Sequence, residues 1–265
     1  MTADQLLAGW TPRRVGRRIV VLAETDSTNT AALAAACEPD VDGLAILADV
    51  QTAGRGRLGA SWESPRGASV LCSVVLVGPE EKGREEESRT SAWLTHVAAV
   101  AGCDAIRQAT DITPAIKWPN DLRVGGKKIG GILIESRAID AGRRAWVVGI
   151  GINCLQQAGH FPKALRDSAG SLEMVSHRPV DRTAVAGELL KALDRRLAHD
   201  LWGGTEGVHA DWLAYAEPVG QKVRLRRNGR EYAGWTVEVD PVGGLIVRLE
   251  AGPLEWFDPM RTTLL

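Results

Sequence analysis

The chain has 265 residues, of which 45% are hydrophobic and 25% charged, and its formal net charge is −1 at pH 7. This length allows a sizeable core, in one large domain or in one domain with a small appendage. Because the charges are balanced, the protein has no overall positive potential, and we expect no nucleic-acid partner. Any anion must be bound by a local cluster of cations. Because the sequence shows no signal-peptide pattern and no apolar run near the roughly 18 residues of a membrane span, we expect a cytoplasmic protein that does not bind membranes.

The residue pattern predicts a mixed α/β domain followed by a small β-domain. Alternating or uninterrupted apolar runs predict strands, and apolar residues at helical spacing predict helices. In chain order we predict an arm or short helix at 1–18, strands at 18–25 and 43–50 around a helix at 26–37 capped by Asp26 or Ser27, a strand at 68–78, a charged loop at 79–88, a helix at 89–108, strands at 115–118, 131–136 and 145–153, a helix at 181–202, and short strands at 222–227, 230–240 and 244–250. The pattern changes near Glu217, so we predict a main domain at 1–216 and a small β-barrel at 217–265.

The four cysteines are interpreted as buried thiols. They are far apart in the sequence, form no CxxC pair and have apolar neighbours, which is typical of a reducing compartment. They are Cys37, Cys72, Cys103 and Cys154.

A glycine-rich loop follows the second predicted strand. Within QTAGRGRLGASW (51–62), three glycines spell GxGxxG, the pattern of dinucleotide-binding loops. That fold requires a helix directly after the glycines, whereas this chain enters another strand within about ten residues, so we reject it. The remaining interpretations are a surface loop with two solvated arginines, or a loop on which Arg55 and Arg57 close over an anionic ligand.

The stretch IKWPNDLRVGGKKIGGIL (116–133) combines lysines, an amide and a carboxylate with two glycine pairs. Its proline predicts an extended or turning backbone. The glycine pairs at 125–126 and 130–131 predict a hairpin-like turn, after which Lys127 or Lys128 begins a strand.

A third stretch, VVGIGINC (147–154), carries Gly149 and Gly151 in an apolar strand. Glycine weakens a strand and often marks the close approach of a ligand to the backbone. The amide of Asn153 ends this strand and could read the polar edge of a ring. Trp62, just after the first loop, is either a core residue or a ring that stacks on a ligand.

Together these motifs resemble those of the biotin protein ligases, the biotin–[acetyl-CoA-carboxylase] ligases. The resemblance is close over about 25–155 and looser in the C-terminal β segment. It implies a mixed-sheet catalytic domain followed by an SH3-like barrel, in a ligase-only member without the DNA-binding domain. The landmarks occur in the family's order: STN at 27–29, QxxGRGR at 51–57, KWPND at 117–121, GKKIGGIL at 126–133 and GIGIN at 149–153.

The resemblance implies two reaction steps. Biotin and ATP give biotinyl-5′-AMP and pyrophosphate, and biotin then passes to a lysine of a biotin carboxyl carrier domain. Two unit charges 4 Å apart repel by roughly 4 kcal/mol at an effective dielectric constant of 20, so the attack of a carboxylate on a phosphate requires fixed cations. Mg²⁺ is expected to supply part of this charge, with Asp121 as a candidate ligand. A homodimer is left open.

The resemblance also implies the site residues. Polar side chains suit the ureido ring of biotin, because unpaired buried polar groups cost about 1–3 kcal/mol each. For Ser27, Thr28 and Asn29 the structural alternative is helix capping, and Asp121 either orients or deprotonates the acceptor amine or binds the metal. The candidates are Lys128, Arg55 and Asp121 for catalysis; Ser27, Thr28, Asn29, Gln51, Arg55, Gly56, Arg57, Lys128 and Gly131 for biotin; and Arg55, Arg57, Trp62, Lys117, Asn120 and Asn153 for ATP or the adenylate. Leu58 and Ala60 in the loop, and the tail at 255–265, depart from the family's pattern.

Two other functions were compared with this one. A lipoate–protein ligase or octanoyltransferase of the same fold requires an apolar pocket, which the polar residues at 27–29 and Gln51 disfavour. Its thioester route requires a reactive cysteine, whereas Cys72 and Cys154 are interpreted as core residues. A non-catalytic biotin or nucleotide sensor would not need Lys128, the loop arginines or Asp121.

Overall fold

The computed structural model describes residues 1–79, 83–140, 142–198, 205–240, 244–250, 252–259 and 261–265. The helices are α1 (Ala3–Leu7), α2 (Thr28–Ala35), α3 (Arg84–Thr110), α4 (Leu172–Ser176), α5 (Arg182–Leu197) and α6 (Thr205–Tyr215). The strands are β1 (Ile19–Leu22), β2 (Ala45–Ala48), β3 (Ser69–Pro79), β4 (Ala115–Lys117), β5 (Asp121–Val124), β6 (Lys127–Asp140), β7 (Arg143–Asn153), β8 (Lys222–Arg227), β9 (Arg230–Asp240), β10 (Gly244–Leu249), β11 (Leu254–Phe257) and β12 (Thr262–Leu264).

The first seven strands form one mixed sheet in the order β1-β2-β3-β7-β6-β5-β4. Strands β1 and β2 are parallel, and the other neighbours are antiparallel. The last five strands form an antiparallel sheet in the order β11-β10-β9-β8-β12. The predicted fold class, an α/β domain with a mixed sheet followed by a small SH3-like β-domain, is confirmed.

Helices cover both faces of the large sheet. The core cluster on one face contains Ala32 of α2 with Val75 of β3 and Val147 of β7. The core on the other face contains Val74 and Val148 together with the apolar residues of α3 and α5. Successive residues of a strand point to opposite faces, so β3, covered on both sides, is buried almost throughout, as its uninterrupted apolar run predicted.

Several predicted elements need correction. The charged segment 79–88 was predicted to be a loop, but α3 begins at Arg84, because its three glutamates in the first turn stabilise a helix N-terminus. Residues 80–82 lie outside the described residues, and so do 199–202 at the end of the predicted helix 181–202, whose described part ends at Leu197. Helix α6 was missed.

The hairpin prediction was half right. Gly125 and Gly126 have φ of 56° and 79° and form the turn between β5 and β6, but Gly130 and Gly131 lie inside β6 and make no turn. Strand β5 was missed because residues 119–130 were interpreted as a connection. A Cβ at Gly130 would lie 3.0 Å from the carbonyl oxygen of Gly151, so the glycine is required for close strand packing.

One cysteine prediction is wrong. Cys72, Cys103 and Cys154 are buried as predicted, but Cys37 is exposed just after α2. Burial raises the pKa of Cys72 and of Cys154 to about 12, so neither thiol supplies a thiolate at neutral pH. Among the described residues, the structure shows no helix with the length and apolarity needed to cross a bilayer.

Candidate active site

Two neighbouring cavities open on the α2 side of the large sheet, with volumes of about 410 and 370 Å³. Both volumes are in the range of small-molecule sites. Trp62, Lys117, Asp121 and Lys128 line both cavities and therefore stand between them. The first cavity gathers these predicted site residues: Ser27, Thr28, Asn29, Gln51, Arg55, Gly56, Arg57, Trp62, Lys117, Asn120, Asp121, Lys128 and Gly131.

Glycines form the floor of the first cavity. Gly151 of β7 is paired with Gly131 of β6, which is paired in turn with Asp121 of β5. This row has no side chains at its centre, so Trp62 and Lys128 can lie across it. A Cβ on Gly151 would come within 2.7 Å of the Trp62 indole, and one on Gly131 would lie 3.4 Å from Cε of Lys128.

The glycines of β7 were predicted to mark close approach of a ligand, and the structure gives them a different neighbour. A Cβ on Gly149 would lie 2.1 Å from Oδ1 of Asn29, and Gly151 faces Trp62. Both glycines therefore make room for side chains that themselves line the cavity. Because β7 has no side chains at these two positions, Asn29 and Trp62 can lie directly against the sheet.

One end of the first cavity is lined by the N-terminus of α2. Ser27 occupies the N-cap position, but its side chain makes no capping hydrogen bond. The backbone N–H and the hydroxyl of Thr28 both donate to Oε1 of Gln51, at 2.7 and 2.9 Å. Ser73 of β3 places its hydroxyl 2.7 Å from that of Thr28 and donates to Oδ1 of Asn29 at 2.6 Å. These groups, of which Thr28, Asn29 and Ser73 are buried, form a hydrogen-bonded polar wall.

The glycine–arginine loop is folded down over the cavity as a short hairpin. The N–H of Gly56 donates to the carbonyl of Ala60, and the N–H of Trp62 donates to that of Gly54. Arg55 is paired with Glu135 at 2.9 Å and donates to the hydroxyl of Thr30 at 2.6 Å. The loop is thus positioned by contacts to β6 and α2.

Arg57 reaches to the opposite side. Its guanidinium donates to Oδ1 of Asn120 at 3.0 Å and to the carbonyl oxygens of Pro259 and Thr262 in the C-terminal tail. Burial lowers the pKa of Arg57, while Asp121 and Asp258 act to raise it. The tail, which departs from the family's pattern, therefore closes one side of the site, and Thr263 and Leu264 line the cavity.

Lys128 lies at the centre of the site. Its ammonium is 2.5 Å from Oδ1 of Asp121 and 5.9 Å from the centroid of the Trp62 ring. Lys127, the alternative candidate, points to the other side of β6, where its ammonium donates to the carbonyl of Arg166 at 3.1 Å. The pairing of β5 with β6 skips one residue of β6 between Gly130 and Lys128, and this irregularity places Lys128, rather than Lys127, on the same face as Gly131.

The side-chain amides of Asn120 and Asn153 are hydrogen-bonded to other groups of the protein. Nδ2 of Asn120 donates to the carbonyl of Ile132, and its Oδ1 accepts from Arg57. Asn153 lines the second cavity only, where its Nδ2 donates to the carbonyl of Gly170 and its Oδ1 accepts from Gln156. Both amides therefore shape the walls of the cavities.

The site is cationic. Of the charged residues that line the first cavity, four are basic, Arg55, Arg57, Lys117 and Lys128, and Asp121 is acidic. A concave site with this excess attracts an anion of more than one charge. The chemistry that it can support is the approach of two anionic groups, because the cations offset the repulsion between them.

Sequence reasoning missed three features of the site: Ser73, Glu135 and the tail at 259–264. Ser73 lies within an apolar run, and Glu135 within an ordinary strand pattern. A polar residue in an uninterrupted apolar strand was the available signal for Ser73. No local signal indicated the contact of the tail, because the tail is about 200 residues from the loop that it contacts.

A family model described as the biotin/lipoate A/B protein ligase family matches residues 21–153, half of the chain. The chain belongs to this family. It is 35% identical to the biotin–[acetyl-CoA-carboxylase] ligase of Paracoccus denitrificans over 88% of this chain and 95% of that protein. It is 31% identical to the enzyme of the same name from Mycobacterium tuberculosis, over 94% and 91% of the two chains.

The solved structures give the same result for the fold. A biotin protein ligase from Aquifex aeolicus, in complex with biotin and ATP, is similar with a TM-score of 0.77 and 27% sequence identity. The similarity covers 94% of this chain and 99% of that one, so it includes the C-terminal β-domain.

Proposed function

We propose that this chain is an ATP-dependent biotin–protein ligase. It forms biotinyl-5′-AMP from biotin and ATP and transfers biotin to a lysine of a biotin carboxyl carrier domain. The observation that carries this proposal is the convergence of Lys128, Arg55 and Arg57 on a cavity whose far end is lined by buried hydroxyl and amide groups. The named relatives support the same activity.

Biotin has a polar ring at one end and a carboxylate at the other, and the first cavity has matching ends. The ureido ring faces Ser27, Thr28 and Gln51, and the carboxylate extends along the glycine floor toward Lys128. ATP occupies the second cavity, with its base near Trp62 and its phosphates near Lys117 and Lys128. Because Trp62, Lys117, Asp121 and Lys128 line both cavities, the carboxylate and the α-phosphate meet at these residues.

In the first step, a carboxylate oxygen of biotin attacks the α-phosphorus, a C–O–P linkage forms, and the bond to the pyrophosphate leaving group breaks. Lys128 contacts both anions and offsets their repulsion as they approach. Arg55 and Arg57 hold the same anions from the loop and keep the mixed anhydride from water.

In the second step, the amine of the acceptor lysine attacks the acyl carbon and AMP leaves. At pH 7.4 a lysine with a pKa of about 10.4 is neutral in only about one molecule in a thousand. Asp121 stands at the junction of the two cavities, where it orients the incoming ammonium and accepts its proton. Its Oδ1 lies 2.5 Å from the ammonium of Lys128, which supports a role in binding an ammonium group.

Mg²⁺ fits this site only as a companion of the phosphates. Among the described residues there is no group of three or more His, Cys, Asp or Glu side chains that could hold a metal ion. Mg²⁺ commonly binds through one or two carboxylates together with substrate phosphates, and Asp121 suits that role. The ion would neutralise part of the phosphate charge.

The proposal includes a catalytic domain at 1–216 and a β-domain at 217–265. The N–H of Glu217 donates to the carbonyl of Ile116, which attaches the boundary to the edge strand β4. We also place the protein in the cytoplasm, because all four cysteines are free thiols, which is typical of a reducing compartment.

The test is exchange of labelled pyrophosphate into ATP, in the presence of Mg²⁺ and either biotin or lipoate. Exchange that depends on biotin supports the proposal. Exchange that depends on lipoate instead would identify a lipoate ligase, and no exchange with either acid, in a protein that still binds biotin, would indicate a sensor.

A further inference from the structure

Glu135 is a carboxylate at the edge of the proposed biotin site that the mechanism above does not use. It lies on β6 four residues after Gly131, on the same face of the sheet, because side chains alternate along a strand. With Leu133 it faces residues 55–60 of the loop from below. Its side chain is 28% exposed.

This carboxylate binds two different parts of the site. Both of its oxygens accept hydrogen bonds from Nη2 of Arg55, at 2.9 and 3.1 Å. Oε2 also accepts from Nδ2 of Asn29 at 2.7 Å. Glu135 therefore connects the loop arginine directly to the amide that lies against Gly149 on the cavity floor.

The connection continues to the other end of the loop. Asn29 accepts from Ser73, Ser73 contacts Thr28, and Thr28 donates to Gln51. Gln51 and Arg55 are the two ends of one short segment, so the network closes a ring through α2, β3 and β6. The series, in order, is Gln51, Thr28, Ser73, Asn29, Glu135 and Arg55, with contacts of 2.9, 2.7, 2.6, 2.7 and 2.9 Å.

We propose that Glu135 is a positioning residue for biotin, which rests on the proposed function. It holds the Arg55 guanidinium and the Asn29 amide side by side, because both donate to Oε2, so that two of the proposed biotin-binding groups are oriented through the same carboxylate. It contacts neither reactant.

A simple charge effect of Glu135 on biotin binding would have the opposite sign to a positioning effect. A carboxylate near the site repels the biotin carboxylate, so its neutralisation alone would strengthen biotin binding. Loss of the positioning weakens binding, because Arg55 and Asn29 each lose a charge-assisted hydrogen bond and become free to rotate. The sign of the change therefore distinguishes the two effects.

The experiment measures binding of biotin by calorimetry, and steady-state KM for biotin and for ATP, in the wild type and in Glu135→Gln. Glutamine keeps the size of the side chain but removes the charge. We expect biotin to bind about tenfold more weakly, which corresponds to 1.4 kcal/mol, with kcat and the KM for ATP little changed. The matched control is Glu87→Gln, which removes a comparable acceptor of Arg144 and Ser136 away from the cavities and should leave biotin binding unchanged.

A second variant covers the case in which Glu135→Gln does not fold. Arg55→Lys keeps the positive charge but cannot donate to both oxygens of Glu135, so it should weaken biotin binding by a similar factor. In the double variant the two effects should not add, because both break the same contact.

The outcomes separate this inference from the proposed function. A wild type that binds no biotin and shows no biotin-dependent exchange would contradict the proposed function. A wild type that binds biotin, with unchanged or tighter binding in Glu135→Gln, would overturn the positioning role alone, as would full additivity in the double variant.

Discussion

Two cationic segments meet at the site, and they are held in different ways. The loop at 54–62 is attached to the rest of the molecule mainly by the side chains of Arg55 and Arg57. Lys128, in contrast, belongs to a hairpin strand whose backbone is bonded on both edges: β6 pairs with β5, and the N–H of Lys128 donates to the carbonyl of Ser168.

This difference in attachment indicates which charges can move when a ligand binds. Side-chain contacts at partly exposed positions restrain a loop less than a backbone ladder does, so the loop can adjust to an anion while Glu135 keeps Arg55 oriented. A strand fixed by backbone hydrogen bonds on both sides does not adjust in this way. We therefore propose that Lys128 is the fixed charge of the site and that the loop arginines close around it.

The largest expected effect is that of Lys128→Ala. If Lys128 offsets the repulsion between two anions, its loss should lower biotin-dependent pyrophosphate exchange by about a thousandfold, with the fold intact. Lys127→Ala is the matched control, because its ammonium is directed to Arg166, and its exchange rate should stay close to that of the wild type. A Lys128→Ala enzyme with normal exchange would refute the assignment of the fixed charge.

The second effect concerns the loop. Arg55→Gly should release the adenylate about ten- to a hundredfold faster, since hydrogen bonds to charged groups contribute about 1.5–3 kcal/mol. Free adenylate then labels lysines without selection, which can be measured as biotin on an unrelated protein. Arg66→Gly, which removes an exposed arginine bound to Glu24 outside the site, serves as the control. Unchanged acceptor selectivity in Arg55→Gly would count against a closing loop.

A third effect tests the glycine floor on which both segments rest. The Cβ of Gly151→Ala would come within 2.7 Å of Trp62, so we expect a loss of about 1–3 kcal/mol in the free energy of unfolding and a higher KM for ATP. Gly159→Ala adds a Cβ with nothing within 4 Å and should leave both quantities unchanged. Urea unfolding and steady-state kinetics measure them, and a neutral Gly151→Ala would show that Trp62 is not held on the floor.

The smallest effect is at Leu58, a residue that has a φ of 53° and is 65% exposed. Asparagine tolerates the left-handed region better than leucine, so Leu58→Asn should stabilise the protein by less than about 1 kcal/mol. Urea unfolding can detect this change. Destabilisation would mean that the leucine makes contacts in the loop that the structure does not show.

The sequence motifs grouped the residues that line the first cavity better than they predicted the elements that carry those residues. The motifs at 27–29, 51–57, 117–121 and 126–133 all line the first cavity, because each is a local cluster of polar and glycine residues that has no role in an ordinary core. Strand β5 was missed, although it carries Asp121, because glycines on both sides of a short strand resemble a loop.

Contacts between distant segments could not be predicted. Nothing near Glu135 in the sequence indicates that it binds Arg55 and Asn29, and nothing in the tail indicates a contact between Thr262 and Arg57. The ligand contact of Asn153 stays a prediction: the residue lines the second cavity, and its Nδ2 donates to the carbonyl of Gly170. The register of the sheet and the packing of the tail decide these contacts.

The two adjacent lysines on β6 have a consequence for how this hairpin tolerates changes of length. A shift of β6 by one position in one direction would turn Lys128 away from the cavity and bring Lys127 into its place, whereas a shift in the other direction would bring Ile129 there. The doubled lysine thus preserves an ammonium at this place against slippage of the strand in one direction. It gives no such protection against replacement of Lys128 itself, because Lys127 stays on the opposite face as long as the register is kept.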